Sequence, residues 1–109
     1  MASVYKVLGQ SNPSANTLST AYTVPADRAT VVSTIVVTNY GSASATYRIA
    51  IRPAGASITQ PMYIAYDVTV PGLDATALTL GLTLATTDVL SVHSSNGLVN
   101  FNIFGSEIS

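Results

Sequence analysis

The chain has 109 residues, of which 48% are hydrophobic and 8% charged, with a net charge of −1, a pI near 5.5 and no cysteine. This length fits one domain, residues 1–109, with a core of its own. The lack of cysteine excludes disulfides and thiolate metal sites. The lack of a basic cluster removes the electrostatic footprint of a nucleic-acid binder.

A typical soluble domain is about 25% charged, so this surface is solvated by Ser, Thr and Asn instead. With so little charge repulsion, the composition leans towards permanent assembly, with copies of itself or with another protein. The start of the chain, MASVYKVLGQSNPS, has neither the basic n-region nor the apolar run of a signal peptide. Synthesis and use without export are therefore expected. Mean hydropathy is +0.42, yet Thr, Ser or Gly interrupts every apolar run well short of the roughly 18 residues of a spanning helix. A membrane barrel needs longer strands and aromatic girdles, and rings make up only 7% of this chain. No membrane partner is expected.

Residues 1–16 are broken at Asn12-Pro13-Ser14, and they are the candidate for an extended N-terminal arm reaching a neighbour. Strands are predicted near 4–9 and 17–24. Residues 29–39, ATVVSTIVVTN, are β-branched on both faces, which marks a central strand. In the strand at 45–52, Tyr47, Ile49 and Ile51 share one face and Arg48, Ala50 and Arg52 the other. Along 61–70, Met62, Ile64, Tyr66, Val68 and Val70 alternate with Tyr63, Ala65, Asp67 and Thr69. Residues 75–85 carry Leu78, Leu80, Leu82 and Leu84 at strict period two, with Gly81 as a possible bulge site. Two last strands are predicted near 88–94 and 98–104.

Turn chemistry separates these runs. Pro71-Gly72 suits a type II turn and Asn96-Gly97 a two-residue hairpin. The pattern V-P-x-x-x-A-T occurs twice, from Val24 and from Val70, and reads as one turn solution used at two places. No segment has helical periodicity. The fold class is all-β: an antiparallel β-sandwich of about eight strands, jelly-roll or immunoglobulin-like.

Chemistry-bearing motifs are scarce. His93 is the one histidine and reads as a polar surface residue near a turn. The acidic residues are scattered, without a calcium loop or a paired-carboxylate arrangement, and Asp74 and Asp88 read as turn and strand-end residues. No catalytic residue, metal ligand or cofactor is expected, and the chain reads as no enzyme. On their phase Tyr47 and Tyr66 belong to the core, whereas Tyr40 and Tyr63 are candidates for exposed interface contacts. Arg48 and Arg52 hold half of the Lys and Arg side chains on one short ridge. Two roles stay open for them: an outward face in water that discourages edge pairing, or an interface where they meet carboxylates or carbonyls of another subunit.

Residues 31–55, VVSTIVVTNYGSASATYRIAIRPAG, with YIAYD (63–67), LTLGLTLATTDVLSV (78–92) and NFNIFGSEIS (100–109), resemble a group of small virion-associated proteins of tailed bacteriophages. The likeness covers roughly residue 24 to the C-terminus and lies in strand and turn texture, not in a catalytic motif. It implies a non-enzymatic capsid decoration or cement protein of the virion, made in the host cytoplasm. A tail- or fibre-associated receptor- or carbohydrate-binding module is the rival. The expected partners are a phage capsid or tail protein and the chain itself, as a homo-oligomer, with a trimer matching the local threefold relation of capsomers.

Overall fold

The computed structural model describes residues 3–109. Eight strands build it: β1 (Ser3–Ser11), β2 (Ser19–Thr23), β3 (Ala29–Asn39), β4 (Ala45–Arg52), β5 (Tyr63–Val70), β6 (Asp74–Leu84), β7 (Val89–Ser94) and β8 (Val99–Ile108). They form two four-stranded antiparallel sheets with the orders β1-β8-β3-β6 and β2-β7-β4-β5. The pairs β1–β8, β2–β7, β3–β6 and β4–β5 nest inside one another, as in one long hairpin rolled up. Ladders β3–β8 and β4–β7 then complete the two sheets. Only β4 and β5 are consecutive strands within a sheet, so the winding is that of a jelly roll and not of an immunoglobulin domain.

Inward residues of both sheets meet in one core that includes Val32, Ile35 and Val37 of β3, Tyr47 and Ile49 of β4, and Phe101 and Ile103 of β8. Tyr47 and Phe101 pack edge to face across it, with ring centroids 6.1 Å apart. The strand β3 lies between β8 and β6, as its β-branched composition predicts. The leucine phase of β6 also holds: Leu78, Leu80 and Leu82 turn inward and Leu84 is buried. The first three are only half-buried, because β5 and β6 are the edge strands on the side where the sheets splay. There a cleft of about 240 Å³ opens between Tyr47, Ile49, Ile64, Val68, Leu78 and Leu80.

The two V-P-x-x-x-A-T segments both cross between sheets, and each has a left-handed residue at its fourth position, Asp27 (φ 62°) and Leu73 (φ 54°). The second does not form the type II turn expected of Pro71-Gly72, since the positive φ falls on Leu73 and not on Gly72. Gly72 serves a different need: a Cβ there would collide with the Ser42 carbonyl. Asn96-Gly97 likewise makes no hairpin. Gly97 has the left-handed φ of 70° that the dipeptide favours, but β7 and β8 belong to different sheets. The last strand runs to Ile108, beyond the expected 104, because it is a central strand paired on both sides to its end. Of the candidate arm, residues Ser3–Ser11 form β1 and pair with β8; residues 1 and 2 lie outside the described part.

Candidate functional site

The outer faces of the two sheets differ. On the β1-β8-β3-β6 sheet, register sets Tyr5 and Val7, Phe104 and Ile108, Val31 and Val36, and Ala77 and Thr79 outward. No Asp, Glu, Lys, Arg or His is among its outward described residues. The other sheet carries the outward charge of the sandwich, on β4 and β5.

Strand alternation alone would send Tyr66 inward. Instead, β5 contains two bulges against β4: Tyr47 pairs with Val68 and Ile49 with Ala65, so Tyr66 and Asp67 together oppose Arg48, and Ile64 is the extra residue of a second irregularity. Asp67 takes up the first bulge with φ of 52°, a left-handed conformation that Asp tolerates better than most residues. Tyr66 and Asp67 therefore both reach Arg48 on the outer face. The expectation that Tyr66 belongs to the core is corrected: it is 47% exposed, because the bulge turns Tyr66 to the outer face beside Asp67, while Val68 and Val70 keep their inward phase.

The geometry around Arg48 is that of a stacked fork. Nε and one terminal nitrogen donate to the two Asp67 oxygens at 2.7 and 3.2 Å. The guanidinium carbon lies 4.1 Å from the Tyr66 ring centroid and 5.9 Å from that of Tyr63, and the two rings meet edge to face at 4.9 Å. The bond from Arg48 holds the Asp67 carboxyl below the usual carboxylate range, and the same bond raises the Arg48 pKa. The carboxylate met by Arg48 thus belongs to its own chain.

Opposite Arg48 on β7 stands His93. It is 8% exposed rather than a polar surface residue, and its Nδ1 is buried without a hydrogen-bond partner. Burial first, and then the Arg48 cation, lower its pKa, with Asp67 opposing. The imidazole is therefore neutral at pH 7.

The other sequence-predicted residues lie apart from this cluster. Arg52 donates to the carbonyls of Ala56 and Gly55 and to the Ser91 hydroxyl, which ties the 3-10 turn Pro53–Gly55 over β7. Tyr40, 46% exposed, sits past the end of β3, where its amide donates to the Leu98 carbonyl and its hydroxyl reaches Asn12. Asp88 acts as the expected turn residue, accepting from the amides of Ala54 and Ala85. Sequence reasoning missed Tyr66 and Asp67. The available signal was an aspartate in mid-strand, where that residue type is depleted unless a bulge or turn accommodates it.

A second charged group lies inside, between the sheets. Glu107, 3% exposed, accepts from Tyr22 at 2.7 Å, Arg28 at 3.2 Å and Lys6 at 3.3 Å, and Tyr22 also bonds Thr30. The Tyr22 bond, followed by Lys6 and Arg28, holds the Glu107 carboxyl low despite burial. Burial pushes the Tyr22 phenol up to about 12. Comparison with protein families, characterised proteins and solved structures finds no match to the chain.

Proposed function

We propose that the chain is a non-enzymatic structural protein of a bacteriophage virion, a capsid decoration protein that bridges neighbouring shell subunits. The observation that carries this reading is the outer face of the β1-β8-β3-β6 sheet, four strands wide and without a charged side chain among its described outward residues. Docking such a face removes no ion from water, and its Thr, Ser and Asn groups can be paired by a partner. Tyr5, 85% exposed, and Val7, 48% exposed, add apolar contact along its β1 margin. The resemblance of residues 24–109 to small virion proteins supports the same reading.

In this role the protein does thermodynamic work and no chemistry. Binding the closed shell and not the open one stabilises the closed form by mass action. A homotrimer placed over a local threefold of the shell multiplies weak contacts by effective concentration. The chain is then made in the host cytoplasm and ends in the virion.

The test is co-sedimentation of the purified chain with particles that lack it. Val36→Lys with Thr79→Lys changes only outward positions, so the chain stays folded by circular dichroism while attachment is lost. Unchanged attachment rejects the face. Attachment to tails and not to shells replaces the decoration role with a tail or fibre one.

A further inference from the structure

We propose that the outer face of β4 and β5 is a saccharide-binding site, where the Tyr66 ring stacks on a neutral pyranose with the Tyr63 ring edge-on beside it, and the Arg48–Asp67 pair hydrogen-bonds adjacent hydroxyls. The site stands independently of the shell-binding reading and uses the opposite face of the sandwich.

The first support is that the cluster is built. An ion pair that serves only solubility needs no bulge, yet here a bulge with a left-handed aspartate turns two consecutive residues, Tyr66 and Asp67, to the same side as Arg48. Bulges of this kind re-aim side chains and are over-represented beside functional sites. The rings lock the guanidinium from one side and the carboxylate locks it in plane. A ligand therefore meets groups already held in place, and little side-chain entropy is lost on binding.

The second support is the valence left over. Arg48 uses two of its N–H groups on Asp67, and a guanidinium has about five. Each Asp67 oxygen takes one bond from Arg48 and keeps a free lone pair. Donors and acceptors thus lie side by side, which matches a vicinal diol, since each hydroxyl both donates and accepts. The Tyr66 ring, 47% exposed, offers a π surface to the C–H face of a sugar ring.

The third support is charge. Arg48 and Asp67 cancel, and the neutral His93 behind them adds none. An anionic ligand would have to displace Asp67 from a two-point bond, so the pair selects for a neutral partner. A protein hot spot would also use Tyr and Arg, but it sits in a desolvated setting. Here the neighbouring outward residues are Thr46 and Thr69, and Asp67 is itself exposed. The geometry therefore favours a small polyhydroxylated ligand bound weakly at each copy.

The test is a nuclear magnetic resonance titration of the free chain with the methyl glycosides of glucose, galactose, mannose and N-acetylglucosamine, and with glucuronic acid as the acidic arm. The expected result is saturable shifts of the Tyr63 and Tyr66 ring signals with at least one neutral glycoside, at a Kd of about 1 mM. Tyr66→Ser abolishes them, and Arg48→Lys, which keeps the charge but loses the fork, weakens binding at least about tenfold. Three results overturn the proposal: no saturable shift with any neutral glycoside, binding that survives both substitutions, or preference for the acidic sugar. If Tyr66→Ser loses dispersed amide signals, Arg48→Lys alone decides. Because no particle is present, failure here leaves the shell-binding reading standing, and failure of co-sedimentation leaves this one.

Discussion

Two clusters hold most of the side-chain charge of this sandwich, and they do opposite things with it. Glu107 lies between the sheets, gathers Lys6, Arg28 and the Tyr22 hydroxyl, and closes the end of the core near both chain termini. Arg48 and Asp67 lie outside, pair with each other and lean on two tyrosines that solvent reaches. Burial decides the consequence. The inner carboxylate is surrounded by donors it cannot exchange for water, so its bonds are held for stability. The outer pair is screened and gains little stability, which leaves its hydrogen-bonding capacity for a ligand.

The largest break in this comparison is expected from Glu107→Gln. Losing the charge leaves Tyr22, Lys6 and Arg28 with one weak acceptor, and the chain loses about 2 kcal/mol, read as a lower urea midpoint at unchanged slope. The cations are half-exposed and return to water, which keeps the loss below that of a fully buried pair.

Acid separates two contributions next. The folded chain resists protonating His93, whose pKa is lowered from 6.5, so stability falls as pH drops through that value, where only the unfolded chain takes up the proton. Glu107, lowered from 4.5, adds a second loss as pH falls below that value and through its folded pKa. Thermal unfolding followed against pH shows both steps in the wild type. In Glu107→Gln the lower step is smaller and the upper one remains.

A smaller effect follows from Tyr22→Phe, which removes one hydroxyl shared by Thr30 and Glu107 and costs about 1 kcal/mol. The smallest is Asp67→Asn. It falls within the scatter of the urea midpoint, because the pair lies on the outer face where water and salt screen it. A loss from Asp67→Asn as large as that from Glu107→Gln would erase the distinction between the two clusters.

The strands were legible in the sequence because alternation and turn residues agree along most of the chain, as in the leucines of β6 and the β-branched run of β3. Arg48 and Arg52 were legible as outward for the same reason. What they touch was not. Whether Arg48 meets water, another subunit or its own Asp67 depends on one inserted residue in β5, whose one mark in the sequence, Asp67 in mid-strand, does not say which neighbour it turns outward. His93 shows the same limit: its outward phase on β7 was readable, but its burial on that outer face was not. The jelly-roll winding also lay beyond the residues, since Asn96-Gly97 suits a hairpin as well as a crossing between sheets, and only long-range pairing of β8 with β1 and β3 decides between them.

The measurement that bears most directly on the central claim is the copy number of this chain in purified phage particles, counted by mass spectrometry against the major shell protein. The account predicts a fixed stoichiometric ratio to the shell subunits, one trimer per local threefold, which Val36→Lys with Thr79→Lys reduces to background. Absence of the chain from particles, or a handful of copies that the double substitution leaves unchanged, contradicts it.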